Sequence, residues 1–533
     1  MNCSAPFNPF MGSYQFLSGI TTPSANAQHF FQQGVDHQFG FNQAESQKSF
    51  ACCMEADPAA PMCHWGMAYA LGPFLNKGQC GEDEWERANF HASAAADLLS
   101  QADSFTREEE ILVGSFLARF PSGDFEYNQT TASMAYRDFL KGAVEEVDSL
   151  DLLSLYGEAE MDVMASAGAA YYHDSLQLTH GAARPEAEAA IAAFQTVLRA
   201  ADHPLALHLY IHITEPLSPG VDASAGEAAA DALRLLNFTG SGHMEHMPGH
   251  LFLRVGRYAD VVRNNELAAR ADDEYSGAGH LPYGPAHNTF FLVAAACLDG
   301  QYEEAARFGQ KMRDIYRRGD VGDSPGVEEG WNALTYVHVR FGKWQELLDD
   351  ADDVVPEDVV PEGVEEARSY AAALRHFGRG VALFKTGEAE AAGEELEMLA
   401  EVEGEVAEKY ADRTRVARLM LGALLADEGD REDMARAAAE ETNSWAYNSP
   451  PHWALSTNDC LGQVLGAAGA AGGAEDAFDL GLKEYPDQSW SYFGKADAME
   501  MAGQEGAEDV RKMGRDTWER SDQAFVAPCL MFA

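Results

Sequence analysis

The sequence predicts an all-α solenoid of helical hairpins, and three observations carry that reading. Apolar residues recur at helical spacing along most of the chain, and almost no stretch reads as a convincing strand. A glycine followed two residues later by an aromatic marks successive turns: Gly256-Arg-Tyr258, Gly300-Gln-Tyr302 and Gly342-Lys-Trp344. Phe30, Gly34, Ser46, Phe50, Cys53 and Pro58 fall at the intervals of a repeat of about 34 residues, the tetratricopeptide type. In such a repeat small residues let two helices approach, large ones fill the gap, and proline stops the second helix.

Composition bounds the function. The 533 residues suit a long repeat array, and 46% hydrophobic with 10% aromatic residues suffice to bury a core. Lys and Arg number 37 against 86 Asp and Glu, a formal net charge of −49. Such a surface repels phosphate backbones and acidic lipid, which argues against nucleic-acid and membrane partners. The run from Met1 to Phe7 lacks the basic and apolar regions of a signal peptide, and no apolar run is long enough to span a bilayer. A cytoplasmic location is the expectation. Eight cysteines without a CxxC pair read as reduced thiols rather than as a disulfide framework.

Taken in order, residues 1–23 carry Pro, Gly, Ser and Thr without helical period and read as an arm over the first repeat. Residues 24–444 read as the solenoid. His64-Trp65 opens an early helix that Pro73 and Gly81 end. Helices are predicted over 82–100, 107–119, 127–146 and 151–165. Residues 166–184, with Tyr171, Tyr172, His173 and His180, look like an insertion able to act as a lid. Helices follow over 185–201, 205–215 and 225–236. The stretch His243-Met-Glu-His246-Met-Pro-Gly-His250 through Tyr258 is expected to be the first helix of a repeat, with 260–272 as its partner. His287-Asn288 opens the next repeat. More hairpins are expected from 326 to 443, with an acidic connector at 354–361. Residues 445–533 read as closing repeats and a cap helix over 505–521.

The chemistry is expected within the span 205–290. His208 and His212 are one helical turn apart, as are His246 and His250, so each pair forms a two-ligand clamp. In the repeat register His243 and His287 occupy the same position, and Glu215 stands where His250 does. These positions line the concave groove of a tetratricopeptide array. Borderline metals favour neutral imidazoles with a carboxylate. The metal set is therefore His208, His212, Glu215, His246 and His250, holding one first-row ion: Cu, Zn or Fe. His243 and His287 complete the shell or act as acid and base. Arg254, one turn beyond His250, is expected to hold an anionic substrate. Glu158, Asp162 and Asn288 are expected to orient the ligands. A lone histidine on a helix is more often packed than ligating, and His29, His37, His64, His203 and His452 read so. Six of the 17 histidines converging by register within about 80 residues do not.

Five segments resemble a group of tetratricopeptide-repeat proteins common in bacteria. They are Phe41-Asn-Gln-Ala-Glu45-Ser-Gln-Lys-Ser-Phe50, Cys63 to Gly72, His208-Leu-Tyr-Ile-His212, His246-Met-Pro-Gly-His250 with Gly256-Arg-Tyr258, and Trp490-Ser-Tyr-Phe-Gly494. Members share an HMPxHxxxRxGRY-like string and the pair here at His287-Asn288. The resemblance covers most of residues 24–522 and implies the fold and a shared groove site, not a reaction. The group usually has histidine where Gln43 stands, and a different turn where Glu215-Pro-Leu-Ser-Pro219 stands. Two classes of function follow. One is a metal-dependent enzyme acting on a small molecule in the groove. The other is a non-catalytic scaffold that binds peptides, with metal storage or sensing as a third reading.

Overall fold

Helix starts follow local chemistry. Ser24, Asn42, Thr106, Asn128, Ser149, Ser241 and Ser456 each accept a hydrogen bond from the backbone N–H three residues on. Proline opens the helices Pro61–Leu71, Pro185–Ala200, Pro204–Thr214 and Pro285–Leu298, where its missing N–H costs nothing. Gly256, Gly300 and Gly342 turn the chain out of its helices at φ of 80°, 76° and 66°. The computed structural model describes residues 3, 14–121, 128–173, 182–217, 223–236, 238, 240–318, 330–350 and 365–533. Among them it holds helices and no strand beyond two isolated bridges. None of these helices is long and apolar enough to cross a membrane.

Successive helices pack as antiparallel neighbours, and glycine sets how closely. The Phe50 ring seats on Gly34 and Gly66, so a Cβ at Gly66 would lie 2.1 Å from it. Phe194 seats on Gly157, and Phe478 on Gly462 and Gly494, in the same way. The chain is thus an all-α, tetratricopeptide-like solenoid. Residues 14–23 lie over the first hairpin and reach further. Phe16 packs on Phe31, Phe39 and Trp65, while Leu17 N donates to Asp151 (2.9 Å) and Thr21 N to Glu109 (2.6 Å).

Three expectations change. First, residues 445–533 turn back onto the central helices. Tyr258 Oη donates to Pro486 O, Trp490 Nε1 donates to Cys297 O at 3.2 Å, and Arg340 stacks over Trp490 at 4.1 Å. Gly256 lies under this return, since a Cβ there would meet Pro486 O at 2.6 Å. Second, six cysteines pair as Cys3–Cys52, Cys53–Cys63 and Cys460–Cys529, against the expectation of reduced thiols. The bridges join different helices or chain ends, so local spacing gave no sign of them. Third, the stretch from His243 is not one helix. It breaks into Gly242–His246 and Pro248–Arg254, because Pro248 has no N–H to continue the ladder. The base of the 166–184 insertion is a short loop in which Tyr172 Oη donates to Ile213 O (2.7 Å). His180, Pro219 and the 354–361 connector lie outside the described residues.

Candidate metal centre

The break at Pro248 sorts the histidines. His243 stays with His208 and His212, and the ligand atoms of these three lie within 4.8 Å of one another. His246 and His250 go with His287, and that second triad meets the same limit. The two clamps expected from spacing are present, but each is completed separately. The arrangement is two triads, not the single cluster expected. They stand side by side: the His212 and His250 rings are 6.0 Å apart, and those of His243 and His246 are 6.1 Å apart.

Groups behind the rings fix which nitrogen carries the proton. His208 Nδ1 lies 2.7 Å from Phe39 O, which only accepts. His246 Nδ1 lies 2.6 Å from Asn265 Oδ1, and the amide nitrogen of Asn265 donates to Val261 O. His250 Nδ1 stands against a Glu215 carboxylate oxygen, and the other oxygen is 3.8 Å from His212 Nδ1. For His208 and His246, Nδ1 holds the hydrogen and Nε2 presents a lone pair inward. His246 Nε2 is then 2.8 Å from His250 Nε2 and 3.1 Å from His287 Nε2. His208 Nε2 is 3.0 Å from His243 Nε2. Nε2 of His212 is buried without a hydrogen-bond partner. Each of these close pairs is met either by one ring donating its Nε2–H to the other or by a cation held between two lone pairs.

A proton is a poor choice of cation here. Burial, with neighbouring imidazoles second, holds His208, His243 and His246 well below the ordinary imidazole range and His287 down to about 3. His212 is lowered by burial too, against the pull of Glu215. Burial alone would raise Glu215, yet His250 and His212 hold it below the usual carboxylate range. Aromatic rings close the site. Phe41, at a left-handed φ of 59°, lies 4.5 Å from the His208 ring and stacks on His212 and His243. Phe291 lies 4.8 Å from His250 and 5.0 Å from His246. A narrow cleft with about 10 Å³ of room for a water-sized molecule lies beside His243, walled in part by Asn42, Ser241, Asp272 and Tyr283.

The remaining expected site residues sit elsewhere. Arg254 donates from one terminal nitrogen to Leu217 O (2.8 Å) and lies 4.7 Å over the Tyr447 ring, while its Nε is buried without a hydrogen-bond partner. Glu158 accepts from Tyr69 Oη, Asp162 pairs with Arg119 at 2.8 Å, and Asn288 donates to Asp272. None of these three meets a histidine of the triads; Asn265, Phe39 O and Glu215 do that orienting instead. Glu215, expected as a ligand, stands behind two rings. Asn265 had a legible signal: Asn264-Asn265 sit mid-helix, where asparagine is disfavoured unless its amide has a task.

No protein-family model matches the chain, and no curated protein matches it. Solved structures similar to it include the P58(IPK) TPR domain, at 10% identity over 94% of this chain and 100% of that one, with a TM-score of 0.22. Ypp1 is 10% identical over 93% of this chain and 82% of its own, with a TM-score of 0.36. A human IFIT1 dimer with m7Gppp-AAAA is 10% identical over 94% and 92%, with a TM-score of 0.30. At these identities and scores the likenesses carry nothing about partners or chemistry.

Proposed function

We propose that the protein is a metal-dependent enzyme whose six-histidine centre holds a pair of first-row metal ions and acts on a small molecule. The observation that carries this reading is the pair of triads, each with three ligand atoms within 4.8 Å of one another. Phe39 O and Asn265 pin the Nδ1 hydrogens of His208 and His246, so Nε2 of each turns a lone pair inward, and burial disfavours its protonation. Metal-ligating histidines characteristically donate their second nitrogen to a carbonyl or carboxylate in this way. Ions in the two triads would act as Lewis acids or as a redox pair. Membership in the group with the HMPxHxxxRxGRY-like string is part of the same proposal, since that string supplies His246 and His250. A peptide laid in an open groove suits the site less well, because His208, His243, His246 and His250 are buried under Phe41 and Phe291.

Elemental mass spectrometry of the purified protein tests the reading. About two ions per chain are expected in the native protein or after reconstitution with Zn, Cu or Fe. The variant His246→Ala/His250→Ala is expected to lose the ion of the second triad and keep its circular dichroism. No bound metal in the native chain under any of these loadings would contradict the reading.

A further inference from the structure

Resting on that reading, we infer that the paired triads take cuprous ions and that the small molecule they bind is dioxygen. Charge is the first argument. All six inward donors are imidazoles, and among the described residues the carboxylate paired with the rings is Glu215, on the outer nitrogens of His212 and His250. Two divalent ions would leave three uncompensated positive charges in this buried space, and two cuprous ions leave one. Burying charge without a partner is costly, so the donor set favours the lower charge. Donor number is the second argument. Three imidazoles per ion, with no carboxylate turned inward, suit copper as they suit zinc, and do not suit the oxygen-seeking magnesium, calcium and manganese.

Shape gives the ligand. Phe41, Phe291 and Tyr283 lie against the triad rings. The adjoining cleft leaves about 10 Å³ for a water-sized molecule, too little for an organic ligand. A very small, uncharged molecule suits a space this tight, under aromatic rings and beside the polar walls Asn42, Ser241 and Asp272. Ring separations of 6.0 and 6.1 Å across the seam set the two triads side by side, and the proposal places one diatomic between ions held in them. The electrons balance without a further reactant. Each cuprous ion gives up one electron and dioxygen takes both, reaching the level of peroxide while held between the two cupric ions. No proton moves and no group leaves. Release of dioxygen returns one electron to each ion.

The experiment uses the full chain, stripped of metal and loaded under argon with cuprous ion in one arm and zinc in another. Copper per chain is counted, and dioxygen uptake and its release under argon are then followed with an oxygen electrode. The expected result is about two copper ions per chain and one dioxygen per copper pair, with uptake abolished in His243→Ala and His287→Ala. Copper bound at that ratio without uptake would overturn this inference and leave the metal reading standing. Zinc bound while cuprous ion is refused would do the same. Failure of both metals to bind would overturn the two together.

Discussion

Glu215 and Asn265 decide how the imidazoles face, although neither points at the centre itself. Each hydrogen bond behind a ring fixes a tautomer, and removing such a partner costs about 10–100-fold in metal affinity. Asn265→Leu and Glu215→Gln are therefore expected to weaken binding by about that factor while circular dichroism stays native, measured by competition with a chelator. Unchanged affinity would mean that the rings are held by something else. Arg254→Ala is expected to leave the metal count unchanged and to lower stability by about 1–3 kcal/mol through the lost hydrogen bond to Leu217 O. A loss of metal in that variant would return Arg254 to the site. Asp272 offers a test by pH. Burial pushes it up to about 7 from an ordinary 3.8. The folded chain keeps its proton while the unfolded chain gives it up, so this group's contribution to stability falls as pH rises between those values. Asp272→Asn removes the loss, which is on the order of 4 kcal/mol. The variant is expected to gain on the native protein in urea denaturation as pH rises from 4 to 7, and parallel curves would contradict the buried, protonated carboxyl.

At the scale of elements, close helix approach is the organising feature. A Cβ at Gly66 meets the Phe50 ring, which Gly34 already confines on its other side. Gly66→Ala is expected to cost about 1–3 kcal/mol by overpacking and to lower the thermal midpoint. Gly393, also helical, has nothing within 4 Å of its Cβ position. Gly393→Ala is expected to be neutral or stabilising by up to about 1 kcal/mol. Equal effects at the two glycines would contradict the packing described. Much at this scale was legible. The predicted 107–119 helix is Arg107–Arg119, and the 185–201 helix is Pro185–Ala200, because Thr106 and Pro185 mark starts unambiguously. The histidine stretch was legible as a clamp but not as a break. Its i, i+3, i+7 pattern presumes one continuous helix, and Pro248 divides it. The sorting into two triads depends on that division and on the separate approach of His287. The expectation that Asn288, Glu158 and Asp162 orient the ligands rests on residue type, which does not say that Asp272, Tyr69 and Arg119 reach them first.

Across the whole molecule, the repeat array was legible and its closure was not. Contacts such as Tyr258 to Pro486 and Trp490 to Cys297 join residues far apart in sequence, which no local pattern encodes. The disulfides are of the same kind. Of eight cysteines, three bridges take six, leaving Cys80 and Cys297 outside them. Alkylation of the denatured, unreduced protein is expected to modify those two and no others. Modification of all eight would restore the reduced-thiol reading. Disulfides of this number persist in oxidising compartments, which makes the compartment itself an open test of the cytoplasmic expectation.

The central claim is that the histidines form two separate metal-holding triads. The most direct measurement is an anomalous-difference map from crystals of the metal-loaded protein, collected at the absorption edge of the bound ion. Two peaks are expected, one among His208, His212 and His243 and one among His246, His250 and His287. A single peak midway between the triads, or none in protein that carries stoichiometric metal, would contradict it.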